Sequence, residues 1–199
     1  MLTKSQMSLL GTHAPDFKLK DVVSGEMMSL SDFKGKKALL VMFICKHCPY
    51  VEHIEGELAK IGRDYQDKDI SIVAISSNDA STHSDDNPEN LKEQAERLGF
   101  TFPYLYDETQ EVAKKYSAAC TPDFFLFDKG PALVYRGQLD DSRPGSFKKI
   151  TGSDLRGAID TVLRDGKVDE DQKPSSGCNI KWKLGNEPDY YNSIQENQG

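Results

Sequence analysis

The chain has 199 residues, 25 Lys+Arg against 32 Asp+Glu, a formal charge of −7 and a pI near 5.1. That length makes one domain, or one domain with an appendage. An acidic chain offers no counterion-release energy to nucleic acid and no attraction to an anionic membrane surface, so neither is expected as a partner.

The N-terminus, Met1 to Ser8, has no cationic stretch followed by an apolar one, so no secretory signal is expected and a cytoplasmic setting is. Ala14 to Leu19 alternates apolar and polar before Ser24-Gly25, and Met28-Ser29-Leu30 follows, which predicts a small hairpin. Ala38 to Ile44 is apolar throughout, as in a strand buried on both faces. A helix starts near Cys48-Pro49, because proline suits a first turn, and Val51, Ile54, Leu58, Ile61 and Tyr65 recur at helical spacing. Ile70 to Ile75 is a second strand. Ser76 to Asn87 is polar and reads as a surface loop, with Asp85-Asp86 solvated. Asn87-Pro88 predicts a helix cap, followed by Leu91, Ala95 and Leu98 on one face. Phe102 to Tyr106 is extended, and Asp107 caps a short helix carrying Val112, Ala113 and Tyr116. Phe124 to Phe127 and Leu133 to Tyr135 flank a turn and form a hairpin, and Leu155 to Leu163 is a last amphipathic helix. This alternation predicts an α/β fold: a mixed central sheet flanked by helices, with an N-terminal hairpin.

The domain is expected to span 1–163. From 164 to 199 the apolar residues are only Val168, Cys178, Ile180, Trp182, Leu184, Tyr190, Tyr191 and Ile194, without a period. That segment is expected to be an irregular C-terminal extension packed on the domain.

Four cysteines are too few for a disulfide scaffold and enough for one redox or metal site. Cys45-Lys46-His47-Cys48 stands at the end of a buried strand and the start of a helix. A helix N-terminus stabilises a thiolate, and Lys46 and His47 add cationic neighbours. Two sulfurs at this spacing can close a small disulfide ring, and such a pair beside a βαβ pattern is a redox signature. A structural zinc site would need two further ligands at close spacing, and the sequence holds no second CxxC or HxxxH. No metal or cofactor is expected.

The chain resembles the thioredoxin-like superfamily, in its peroxiredoxin-like branch of redoxin or AhpC/TSA type. Gly11 to Phe17 (GTHAPDF), Val41 to Val51 (VMFICKHCPYV), Cys120 to Asp128 (CTPDFFLFD), Tyr135 to Gly145 (YRGQLDDSRPG) and Pro174 to Lys183 carry the resemblance. It implies a thioredoxin-like fold in which the first cysteine is exposed and attacks and the second resolves. It also implies that Thr121-Pro122 is a cis bond facing the active site, with Thr121 offering backbone to a substrate strand. The dipeptide between the cysteines departs from the Gly-Pro of thioredoxin. Its charge is expected to stabilise the thiolate and make the protein a stronger oxidant. Met42 stands where peroxiredoxins place a peroxide-positioning hydroxyl before the reactive cysteine, which disfavours the standard peroxidase mechanism.

Cys120, two residues before Pro122, is read as a third redox thiol or metal ligand, or as a small buried residue. Cys178 could reach back as a resolving thiol, or anchor the tail beside Trp182. Arg136, Asp140, Asp141 and Arg143 read as a surface turn with ion pairs, or as a rim of the active site. His13, His53 and His83 show no partner pattern. The expected function is a thiol–disulfide oxidoreductase acting through Cys45 and Cys48, with Lys46, His47, Thr121 and Pro122 as modulators. Its partners would be protein or small-molecule disulfides and thiols, with a reducing partner such as a thioredoxin-type system. The alternatives are a thiol peroxidase and a copper-handling module that would use Cys45, His47 and Cys48 as soft ligands.

Overall fold

A computed structural model describes residues 2–191. In chain order the strands and α-helices are β1 (Leu2–Lys4), β2 (Lys18–Asp21), β3 (Met27–Ser29), β4 (Ala38–Phe43), α1 (Pro49–Tyr65), β5 (Ile70–Ser76), α2 (Pro88–Leu98), β6 (Tyr104–Tyr106), α3 (Glu111–Tyr116), β7 (Cys120–Thr121), β8 (Asp123–Asp128), β9 (Leu133–Gly137), α4 (Ser153–Leu163) and β10 (Ser176–Asn179). Seven strands form the main sheet in the order β3-β2-β6-β5-β4-β8-β9. The β4–β5 and β5–β6 pairs are parallel and the rest antiparallel, which makes the mixed sheet that the alternating pattern predicts. Ile194 lies outside the described residues.

β4 is an interior strand, paired with β5 and β8, and every one of its side chains is apolar and buried. Ala38, Leu40 and Met42 enter one core cluster with Val51, Ile54, Leu58, Ile61 and Tyr65 of α1 and Leu155 and Ile159 of α4. Leu39, Val41 and Phe43 enter the other with Phe17, Phe33, Val112, Tyr116 and Phe125. Burying each such side chain stabilises the fold by roughly 1.5–3 kcal/mol, so the Cys45–Cys48 segment is anchored between two rigid elements.

The helix signals hold with one refinement. Asn87 caps α2 by accepting the Asn90 amide at 2.8 Å, and Gly99 closes it in the left-handed region. Asp107 sits one turn further from α3 than a cap would. Gln110 is the N-terminal flanking residue, at φ 65°, while the Asp107 carboxylate reaches over it to the Ala113 amide at 2.9 Å.

The tail is less irregular than its composition suggests. β10 pairs antiparallel with β1 on one side and with β7 on the other, giving a second sheet in the order β1-β10-β7. Beyond it the Lys181 amide donates to Asn78 and the Lys183 amide to Gln110, each at 2.8 Å. Ile180 is buried in the second core cluster, with Trp182 packed against it. No helix among the described residues is long and apolar enough to cross a membrane.

Candidate active site

β4 delivers Cys45 just past its last residue, and α1 begins one residue after Cys48, which is its N-terminal flanking residue. Pro49 opens the helix, as the spacing predicts. The Thr121-Pro122 bond is cis. Thr121 touches both sulfurs: its hydroxyl lies 3.1 Å from Cys45 Sγ, and its carbonyl accepts from Cys48 Sγ at 3.2 Å. Lys46, His47, Thr121 and the two cysteines therefore share one site. Cys120, next in the chain, is buried and donates weakly to the Pro122 carbonyl at 3.6 Å. Burial, then the charge of Asp123, pushes its thiol well up.

Three expectations need correction. The first is exposure. Cys45 and Cys48 are both 0% exposed, because β10 lies across the site and Cys178 packs against the core cluster that contains them. The second concerns the solvated loop. A 3₁₀ turn, Ser84–Asp86, folds inward and leaves Asp86 0% exposed under the Cys45–Cys48 segment. Its Oδ1 accepts the Lys46 amide at 2.7 Å and the His47 amide at 3.1 Å, and its Oδ2 accepts the Asn78 amide at 2.8 Å and bonds the His47 ring at Nδ1. Burial alone would raise this carboxyl. The bonds from His47 and Asn78 outweigh burial and hold its pKa below the ordinary value. The third correction is to the cationic dipeptide. Lys46 pairs with Glu93 at 2.8 Å and His47 with Asp86, so neither charge is free to face the thiols. His83 also has a partner, its ring centroid 5.0 Å from that of His47.

Electrostatics separates the sulfurs. Cys45 is pushed well up, first by burial, then by its hydrogen bond to Cys48 and the charge of Asp86. Cys48 is lowered, because Cys178 and then Cys45 direct thiol hydrogen bonds at its sulfur, with the Val51 amide at the helix start adding to them. Cys178 is raised, first by that same bond to Cys48. Cys48 is thus the middle sulfur of three. All four cysteines are free, and Cys178 alone among them is partly exposed.

Arg136, read from sequence as part of a surface turn or a rim of the active site, is wholly buried. It donates to Asp123 at 3.1 Å and to the Ser117 carbonyl at 2.7 Å, and it stacks 4.4 Å from the centroid of Phe125, a member of the other core cluster. Asp140 is buried too. It accepts the Thr151 and Gly152 amides ahead of α4, at 2.6 and 2.7 Å.

Cys45, His47 and Asp86 bring three ligand-type atoms within 4.8 Å of one another. Each oxygen of Asp86 already accepts two N–H groups, and His47 Nδ1 is one of the partners. A cation there would displace bonds that fix the Cys45–Cys48 turn, so the donor set suits a carboxylate brace better than a metal. A cavity of about 680 Å³ is lined by Lys37, Asp69, Lys129 and Asp165 among others and includes none of the cysteines.

Asp86 is the site residue that sequence reasoning missed. The only signal was its place one residue before the Asn87 cap, in a loop long enough to fold back.

Comparison with known proteins gives the family and the fold. Residues 10–136 match the model of the AhpC/TSA family. The thiol-disulfide oxidoreductase ResA of Geobacillus thermodenitrificans is 31% identical over 129 residues, 64% of this chain and 68% of that one. A putative peroxiredoxin of Mycobacterium tuberculosis is 26% identical over 117 residues, 59% of this chain and 69% of that one. Among solved structures, a conserved protein from Geobacillus kaustophilus is 53% identical, with a TM-score of 0.90 over 92% of this chain and 97% of that one. The thioredoxin domain of a Bacteroides vulgatus thiol-disulfide oxidoreductase superposes at a TM-score of 0.55, with 24% identity over 65% of this chain and 89% of that one, which shows the fold. The chain belongs to the AhpC/TSA family and is an oxidoreductase of the thioredoxin-like fold.

Proposed function

We propose that this protein exchanges dithiol for disulfide through Cys45 and Cys48, acting on protein or small-molecule disulfides. The observation that carries the reading is the convergence of both sulfurs on Thr121, at 3.1 and 3.2 Å, at a helix start. Cys45 gives its proton to solvent and, as the thiolate beside the Thr121 hydroxyl, attacks one sulfur of the substrate disulfide. A mixed disulfide forms and the first substrate thiolate leaves. Cys48 gives its proton to that leaving thiolate and attacks Cys45 Sγ. The second substrate thiolate departs and takes up a proton from solvent. Two electrons have moved from the pair to the substrate.

The relative named a thiol-disulfide oxidoreductase supports this reading. Peroxide reduction is the second reading. It is favoured by the Thr121 hydroxyl, which stands beside Cys45 and supplies from another strand what Met42 cannot. Arg136 does not help there, being locked to Asp123.

The test is turnover of the reduced protein with an insulin-type disulfide and with hydrogen peroxide, for wild type, Cys45→Ser and Cys48→Ser. The proposal expects disulfide reduction that either substitution abolishes, and a trapped mixed disulfide at Cys45 in Cys48→Ser. Peroxide consumption without disulfide reduction would overturn it.

A further inference from the structure

β10 lies across the site with its sulfur aimed inward. Cys178 stands opposite Thr121 in the β7–β10 register, and Thr121 is the residue whose carbonyl and hydroxyl hold the two buried sulfurs. The approach depends on Gly177. A Cβ there would meet the Thr121 carbonyl oxygen at 2.0 Å and Pro122 at 3.1 Å, so no side chain fits without lifting the strand. The neighbouring residues tie β10 down on both sides: the Ser5 amide donates to Ser175 at 2.9 Å, and Asn179 pairs with Cys120. The outcome is a chain of three thiols, Cys45, Cys48 and Cys178, in which the first two are buried and only the third is partly exposed.

We propose that Cys178 is a third redox thiol that takes the disulfide from the buried pair and presents it at the surface. This rests on the Cys45/Cys48 reading above. The Cys178 sulfur attacks Cys48 Sγ of the Cys45–Cys48 disulfide. The Cys48–Cys178 bond forms, the Cys45–Cys48 bond breaks, and Cys45 leaves as the thiolate and takes up the proton lost by Cys178. The step is an isomerisation and needs no added oxidant. An external thiol then attacks the Cys178 sulfur and releases Cys48, and a second external thiol takes the first off Cys178 as an external disulfide, so that the two supply both electrons.

The timing is built into the contacts. In the dithiol form the raised proton affinity of Cys178 comes first from its hydrogen bond to Cys48, then from desolvation and from the charge on Cys48, while Lys181 opposes them. Once Cys48 is in a disulfide, that bond partner and that charge are gone, and Cys178 becomes easier to ionise when it is needed as the nucleophile.

The test oxidises the full-length protein with glutathione disulfide and maps the linkages by mass spectrometry of blocked peptides. In Cys45→Ser the expected product is a Cys48–Cys178 disulfide. A Cys48–glutathione adduct with Cys178 free would overturn the proposal, and so would free Cys48. Cys45→Ala repeats the measurement in case the serine variant misfolds. In wild type, reduction of the protein disulfide by glutathione is expected to be roughly tenfold faster than in Cys178→Ser and Cys178→Ala. Equal rates, with equal melting temperatures, would also overturn it. Absence of a Cys45–Cys48 bond in oxidised Cys178→Ala would sink the underlying dithiol reading instead, which the Cys45→Ser result reads independently.

Discussion

Among the described residues, Asp86 and Asp123 are two of the three aspartates that are 0% exposed, and their surroundings move them in opposite directions. Asp123 has a guanidinium at 3.1 Å, yet desolvation outweighs Arg136 and raises its pKa, and its Oδ1 has no hydrogen-bond partner. Asp86 has a lowered pKa, with two N–H groups on each oxygen. A complete set of donors holds a buried anion better than one countercharge with an oxygen left over. The difference matches their work. Asp86 braces the turn between Cys45 and Cys48, while Asp123 and Arg136 form a link between β8 and β9, with the Asp123 charge acting on Cys120.

The sharpest way to break the comparison is Asp86→Ala. It leaves the Lys46, His47 and Asn78 donors without an acceptor, and we expect a loss of about 3–5 kcal/mol in urea denaturation. The same substitution removes an anion that raises Cys45, so the pH midpoint for alkylation of Cys45 should fall. A midpoint that rises or stays put would mean Asp86 does not act on Cys45. Asp123→Ala should cost about 3 kcal/mol, because it strands the Arg136 charge among apolar side chains. Asp123→Ala combined with Arg136→Met should recover at least half of that loss, measured as a denaturation double-mutant cycle.

The contrast in the two carboxyls also sets two pH slopes. Asp86, lowered in the fold, contributes stability that is complete above the ordinary value of 3.8 and is lost as pH falls through the folded pKa. Asp123, raised in the fold, contributes stability that is complete below 3.8 and is lost as pH rises through the folded pKa. The gap in unfolding free energy between wild type and Asp86→Asn should therefore widen with pH just below 3.8 and then level. The gap to Asp123→Asn should shrink with pH just above 3.8. Urea titrations at closely spaced pH values read both, and parallel slopes would refute the distinction.

The two regions were unequally legible in the sequence. β4 and α1 announced themselves because continuous and helically spaced apolar residues have few other solutions. They fixed where Cys45 and Cys48 sit. Asp86 was hidden because its own neighbours, from Ser76 to Asn87, are those of a solvated loop. Its burial is decided by N–H groups some forty residues earlier in the chain. Arg136 was hidden by the charged string that follows it. β10 was hidden because a four-residue strand of Ser, Gly, Cys and Asn has no hydrophobic pattern. It is held by the backbone edges of β1 and β7 and by a glycine that permits close approach.

The smallest expected effect concerns the residue that the sequence made most prominent. Lys46 lies between the cysteines, and its charge was expected to favour the thiolate. In the fold its ammonium turns outward to an exposed Glu93, while its backbone amide turns inward to Asp86. The side chain and the backbone of one residue thus do different work, and only the backbone is part of the brace. Lys46→Met keeps that amide and removes a solvent-screened pair, so urea stability should be unchanged and the alkylation rates of Cys45 and Cys48 should stay within about twofold of wild type. His47→Ala removes a ring bond to Asp86 itself and should shift both. A Lys46→Met protein whose thiol reactivity drops severalfold, and does so less at high salt, would show that the free charge of Lys46 reaches the sulfurs and that the donors on Asp86 are not the main control.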